Sequence, residues 1–177
     1  QTIFGAEKAY DADQGKEYSQ RFVGIQKGAQ GARDKLGTFD AMDSLAQTPG
    51  FYSGSGSSGV LFLKKGIAAL GGDPKAPASM ENFRALANKA TLDGLGTLGT
   101  GVSNADRSFI EAINPTLDNT PQGNRNQIAI LRKIEQRKLD VAKLARAYAK
   151  QTGRLDAGFD DVLEEWSQSN PLFTDED

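Results

Sequence analysis

The stretch that decides the fold is residues 120–153, TPQGNRNQIAILRKIEQRKLDVAKLARAYAKQTG. Thr120 is a favourable N-cap, and Pro121 suits the first helical position because its missing N–H costs nothing there. Gly153 permits the left-handed conformation that ends many helices. The apolar residues recur at helical spacing and form one broad face: Ile130, Leu131, Ile134, Val141, Leu144, Ala145 and Tyr148. The stretch therefore predicts one long helix, with its apolar face turned toward other helices.

Charge is strongly segregated around this helix. Five cations cluster almost opposite the apolar face and are candidate interaction residues: Arg125, Arg132, Lys143, Arg146 and Lys150. Residues 121–154 contain nine bases and two acids, a local net charge of +7, whereas residues 155–177 contain eight acids and no base. The overall net charge of −2 thus conceals a dipolar C-terminal third. The cations fit three interpretations: a solvated face, pairing with acids of the same chain's tail or of a neighbouring subunit, and contact with a phosphate backbone.

The other periodic segments also have helical spacing, and no alternating run of β-branched residues indicates a strand. We predict an all-α protein, in which residues 49–177 form a compact helical bundle and residues 1–48 an extended N-terminal helical arm. Helices are expected at residues 7–36, 38–47, 60–70, 79–93, 103–113 and 156–169, with a glycine-rich connection after residue 93. The expected inward-facing residues of the last three include Phe83, Phe109, Ile110, Phe159, Val162 and Trp166. Leu172 and Phe173 are expected to fold back as an apolar hook.

The N-terminal arm is interrupted by glycines. An interior glycine costs a helix up to about 1 kcal/mol relative to alanine, so the arm should depend on a neighbour. Gly24, Gly28 and Gly31 have a spacing that would let another backbone approach closely, and they are candidate packing residues. The alternative is a frayed surface arm.

Composition excludes several kinds of chemistry. The chain has no cysteine and no histidine, which removes thiol nucleophiles, histidine bases and the usual zinc sites. No apolar run approaches the roughly 20 residues that span a bilayer. We therefore expect a non-enzymatic protein with no catalytic residues, no metal, no cofactor and no membrane span. Because the chain begins with Gln1, we also expect a processed product or a segment of a longer one.

Three local patterns could suggest activity. GSGSSG at residues 54–59 and GLGTLG at residues 94–99 match the dinucleotide fingerprint G-x-G-x-x-G. Neither follows a predicted strand, as that fingerprint requires, and both are interpreted as linkers. Glu164 and Glu165 are adjacent on a helix and point about 100° apart, so they are not a glycosidase pair. Asp106 with Arg107 could form an interhelical ion pair, or Arg107 could face solvent.

Two long runs resemble a known family. Residues 99–138 and 144–173, with the shorter pieces LKKGIAALGGDP at 63–74 and MENFRALANKATL at 80–92, resemble a C-terminal module of bacteriophage virion-associated proteins of the structural or DNA-ejection (internal virion) kind. The matching positions are Ser103, Asp106, Arg107, Phe109, Thr120, Pro121, Gly123, Asn124, Gly153, Phe159, Trp166, Asn170, Pro171 and Phe173. The likeness covers roughly residues 51–173 and brings no active site with it.

The resemblance implies a location and partners. It predicts a virion component of a tailed phage, present in several copies as a ring-forming homo-oligomer around the portal, tail or ejection apparatus, with other virion proteins as partners. One alternative is a DNA-contacting ejected protein that uses the basic stripe for non-specific phosphate contacts. A second is a fragment of a phage cell-wall hydrolase whose catalytic domain lies outside this chain.

Overall fold

The computed structural model describes residues 2–47, 57–118 and 120–174, which form six α-helices and no strand. This confirms the all-α prediction. The helices are α1 (Thr2–Ala46), α2 (Ser57–Ala69), α3 (Met80–Leu98), α4 (Asn104–Ile113), α5 (Pro121–Thr152) and α6 (Ala157–Ser169). Single turns of 3₁₀ helix at Gly99–Gly101 and Asn114–Thr116 follow α3 and α4. The predicted boundary between residues 48 and 49 lies outside the described residues.

α5 is the central helix and has the predicted limits. The Thr120 hydroxyl accepts the N–H of Gly123 at 3.0 Å, and Gly153 takes a left-handed conformation with φ of 91°. Ile134 and Val141 are buried, and Tyr148 is half-buried against the same core. The apolar face therefore points inward, as predicted.

The interior consists of two apolar clusters that share α5. One lies between α3, α4, α5 and α6 and contains Leu95, Leu98, Val102, Ile110, Leu117, Ile130, Ile134, Val141, Ala145, Leu155, Phe159, Leu163 and Leu172. The other lies between α1, α2, α3 and α5 and contains Phe39, Met42, Ala46, Phe62, Ile67, Phe83, Ala87, Ile128 and Leu131. The two ends of α5 thus organise different parts of the chain.

α1 is one continuous helix, whereas the sequence predicted two helices divided near residue 37. Gly37 stays helical, and the Thr38 hydroxyl donates to the carbonyl of Asp34 at 3.3 Å within the helix. Phe39 and Met42 then anchor this end in the core with no exposed surface. The packing of these two side chains outweighs the low helix propensity of glycine.

α3 also extends beyond its predicted end, through the segment interpreted as a glycine-rich connection. A Cβ atom on Gly94 would lie 2.6 Å from Cγ2 of Ile134, so glycine here lets α3 pack closely against α5. The helix ends at Gly99, whose φ is 52°. α2 begins at Ser57 rather than at residue 60, and Gly71 makes its predicted left-handed exit with φ of 76°.

Two predicted core residues are at the surface. Phe109 is 46% exposed and Val162 is 42% exposed. The Phe109 ring instead packs on Phe173, with 4.9 Å between ring centroids. The predicted hook is confirmed, since Leu172 is buried in the larger cluster and Phe173 packs against it.

Candidate docking surfaces

The five cations of the predicted stripe share one side of α5 but differ in their contacts. Arg125, Lys143 and Lys150 are exposed, and none has an ion pair to a described residue. Arg132 forms an ion pair with Asp40 of α1 at 2.7 Å. Arg146 donates to Oε1 of Gln26, also on α1, at 2.7 Å. The sequence did not indicate that two of the five would contact α1.

α1 lies antiparallel to α5, and these two contacts belong to a row of polar contacts along α1. The Gln26 amide also donates to the carbonyl of Ala142 at 3.1 Å. Lys35 lies 3.9 Å from the carboxylate of Glu135, and Arg21 pairs with Asp160 of α6 at 2.6 Å. The first half of α1 is therefore held by the Arg21–Asp160 pair together with Tyr18, Phe22 and Ile25, which pack partly buried against the larger apolar cluster.

Gly24, Gly28 and Gly31 lie on the exposed part of this helix. A Cβ atom at any of the three would have no neighbouring atom within 4 Å, so they do not mediate a close approach between helices of this chain. Gly24 and Gly28 border an open cavity of about 280 Å³. The other residues that line this cavity are Arg21, Ile25, Thr97, Leu98, Lys138, Val141 and Leu163. No contact within the described part of the chain therefore requires glycine at these three positions.

The beginning of α1 extends past the bundle. Residues 5–14 are exposed throughout, and Tyr18 is the first described aromatic residue of α1 that packs on a core cluster. Tyr10 is 63% exposed and accepts a hydrogen bond from Gln14 one turn later at 2.8 Å. At about 1.5 Å per residue, ten exposed residues make a helical projection of about 15 Å. We call residues 5–14 the projecting segment.

α6 presents an acidic face on the other side of the molecule. Phe159 and Leu163 point inward and pack with the apolar face of α5. Asp161, Glu164 and Glu165 are exposed, and none of them forms an ion pair with a described residue. The predicted solvated acidic face thus lies on α6, away from the basic side of α5.

The C-terminal segment is fastened by a buried polar network that the sequence did not predict. Arg137 is 4% exposed and donates to the carbonyls of Gly101, at 2.9 Å, and of Asn170. Its guanidinium also lies 4.6 Å from the centre of the Trp166 ring. Burial lowers the pKa of the Arg137 guanidinium, and the charge of nearby Asp106 acts in the opposite direction. Helical spacing contained a signal, because Arg137 falls beside Ile130 and Val141 on the apolar face.

Asp106 and Arg107 have other roles than either predicted one. The buried Asp106 carboxylate accepts the backbone N–H of Leu172 at 2.8 Å. The Arg107 guanidinium donates to the carbonyls of Leu95 and Gly99, at 3.2 and 2.9 Å, at the end of α3. Cations suit that position because the last carbonyls of a helix lack partners within it. Both residues therefore fasten elements of the fold.

The remaining candidate features are the two glycine patterns, a metal site and a membrane span. Gly94 and Gly96 lie inside α3; of the other pattern, residues 54–56 lie outside the described residues and residues 57–59 begin α2, so neither pattern is wholly a linker. Among residues 2–47, 57–118 and 120–174, no group of three or more acidic, histidine or cysteine side chains is placed to hold a metal ion. No helix in the described ranges has the length and apolar content needed to cross a membrane.

No family model, curated protein sequence or solved structure matches this chain. The resemblance to virion-associated proteins stays a prediction.

Proposed function

We propose that this protein is a non-enzymatic structural component of a tailed-phage particle, present in several copies and docked around the portal, tail or DNA-ejection apparatus. The projecting segment of α1 carries the proposal. A polar helix that buries no apolar stripe is marginally stable by itself, because helices in proteins owe most of their stability to packing. Ten exposed helical residues beyond the bundle are explained if another chain packs against them.

The glycines of α1 support a docking role for this helix. Each interior glycine destabilises a helix by up to about 1 kcal/mol relative to alanine, and Gly24, Gly28 and Gly31 have no neighbour inside the chain that would require it. A second helix that packs on this side of α1 would supply the reason, because small residues let helix backbones approach closely. The free-energy cost of the three glycines is then offset by the packing of the second helix in the assembled particle.

The first test is mass spectrometry of purified phage particles. We expect the chain in intact virions in a fixed ratio to the other structural proteins. Its absence from intact particles, while it is present in the lysate, would overturn the proposal.

The second test separates docking from folding. The variant Gly24→Ala/Gly28→Ala/Gly31→Ala should be more stable than the natural chain in isolation but enter particles less efficiently. Gly37→Ala is the matched control, since it lies in the same helix and an added Cβ there also meets no atom within 4 Å. Equal incorporation of the triple variant and the control would show that the glycines have no docking role.

A further inference from the structure

Two oppositely charged surfaces lie on different sides of this molecule. The basic face consists of the exposed cations Arg125, Lys143, Arg146 and Lys150 on α5, of which Arg146 also donates to Gln26 of α1, and the acidic face consists of Asp161, Glu164 and Glu165 on α6. α6 packs on the apolar side of α5, where the Tyr148 and Phe159 rings lie 5.5 Å apart. At 100° per residue, Lys143 points about 200° away from Val141 on that apolar side. The two charged faces therefore point in different directions and cannot neutralise each other within one chain.

We infer that the acidic face of one copy docks on the basic face of the next, so that copies of this chain associate head to tail. This inference deepens the proposed role as a multi-copy structural component and names the contact through which copies meet. A contact between two different faces is heterologous, and repetition of such a contact generates a ring when the rotation closes. The partner of each face is thus a second copy of this chain.

The spacing of the charges fits this arrangement. Lys143, Arg146 and Lys150 follow one another at intervals of three and four residues, so they form a single row along α5. Asp161 and Glu164 are also three residues apart, and Glu165 stands beside them on the same exposed side of α6. Two helices laid side by side can therefore bring the acids of α6 next to part of this row of cations.

Apolar surface accompanies the acidic face. Val162 is 42% exposed beside the acidic residues, and the basic face contains Ala147, which is also exposed and small enough for close approach. One acid, Asp140, lies on the basic side of α5, and Gln136 donates to it at 3.3 Å. The basic face therefore carries four exposed cations beside this one acid.

Exposed ion pairs are individually weak and are screened by salt. A single contact should thus be reversible, and closure of a ring would strengthen it because each copy is then held by two neighbours. The association should depend steeply on ionic strength. This dependence gives the inference a measurable signature.

The experiment is sedimentation velocity of the full chain over a range of protein concentrations, at about 0.05 M and about 0.5 M salt, where screening differs severalfold in range. We expect self-association at low salt, with an apparent association constant at least about tenfold smaller at high salt. A chain that is monomeric at both salt concentrations would overturn the inference.

Charge reversal then identifies the faces. The basic-face variant is Lys143→Glu/Lys150→Glu, and the acidic-face variant is Glu164→Lys/Glu165→Lys; all four side chains are exposed and lack ion pairs to described residues. Each variant alone should lose self-association at low salt, and an equimolar mixture of the two should regain it. Lys64→Glu/Lys65→Glu on α2 is the control for the basic-face variant, because it changes the net charge by the same amount, and it should associate like the natural chain. Loss of association in this control, or no recovery in the mixture, would overturn the inference.

A phosphate backbone is the competing occupant of the basic face. If the chain binds random double-stranded DNA at low salt, loses this binding in the basic-face variant, and shows no self-association, the head-to-tail contact is rejected in favour of DNA. The outcome is independent of the proposed function. If the chain self-associates but is absent from particles, only the proposed virion role is rejected. If the chain is monomeric but is found in particles, only the head-to-tail contact is rejected.

Discussion

The first half of α1 and the C-terminal segment are both attached to the bundle through an arginine, but in different surroundings. Arg21 on α1 pairs with Asp160 and lies 5.6 Å from the centre of the Phe159 ring, with about a third of its side chain exposed. Arg137 on α5 has an aromatic partner too, but it is buried and donates to two backbone carbonyls. Both arginines thus have an aromatic neighbour and an oxygen acceptor, but water screens the contacts of Arg21 and is largely excluded from those of Arg137. The polar attachment of the first half of α1 is thus open to solvent, whereas that of the C-terminal segment is buried.

The largest expected effect comes from removal of the buried arginine. Arg137→Met should lower the free energy of unfolding by about 3 kcal/mol, because it leaves the carbonyls of buried Gly101 and of Asn170 without this donor and removes a cation close to the buried Asp106. Urea unfolding monitored by circular dichroism measures this change. Arg21→Met is the matched control and should cost no more than about 1 kcal/mol. Equal losses in the two variants would remove the distinction between the regions.

Gly94→Ala should have the next largest effect. The added Cβ would meet the buried Ile134 side chain at 2.6 Å, and overpacking of this kind costs about 1–3 kcal/mol. The same unfolding measurement tests it. A neutral or stabilising result would mean that α3 and α5 separate easily.

Alanine at Gly24, Gly28 or Gly31 should have the opposite sign. Each substitution should raise the free energy of unfolding by up to about 1 kcal/mol, because the helix gains propensity and the new methyl group meets nothing. Separate unfolding curves for the three single variants check this expectation. If any of the three substitutions lowered the free energy of unfolding, the added methyl group would be in contact with another part of the folded chain.

The ion pair between Arg21 and Asp160 should contribute less. A double-mutant cycle with Arg21→Ala and Asp160→Ala should give a coupling energy below about 1 kcal/mol, since the two side chains are 35% and 41% exposed. The coupling should shrink further as salt is added. A larger, salt-independent coupling would show that the first half of α1 is fastened as firmly as the C-terminus.

The smallest effect concerns pH. A hydrogen bond from the Tyr148 hydroxyl to Asp156 raises the pKa of Tyr148 above its ordinary value of about 10. Because the folded-state pKa is raised, the stabilisation is fully present below about pH 10 and is lost as the pH rises through the raised pKa. The difference in stability between the natural chain and Tyr148→Phe should therefore disappear in strong base. Absorbance of ionised tyrosine in the two proteins should locate the late-titrating group.

Local signals account for the parts of the fold that were predicted well. Ser79, Ser103, Thr120 and Asp156 each accept a backbone N–H at the start of a helix, and Gly153 ends α5. Caps act between residues two to four positions apart, so their side chains can be recognised without knowledge of the fold. The basic stripe could be placed on one side of α5 for the same reason.

The largest failures depend on contacts between distant residues. Nothing near Gly37 indicated that Phe39 and Met42 would hold α1 in one piece, and Gly94 has the sequence surroundings of a linker although Ile134 packs against it. The contacts of Arg132 and Arg146 likewise join residues about one hundred positions apart. For the candidate site, the sequence could therefore identify the charged residues but not those already occupied by α1.

By itself, the sequence determined that this protein is all-α, that α5 has its observed limits, and that its basic and acidic residues are separated, because helical period and capping are local properties. Only the tertiary structure decided which charges are buried, which are paired and which remain exposed. Those outcomes depend on the access of water to each group, and this access is set by helices that lie far apart in the chain.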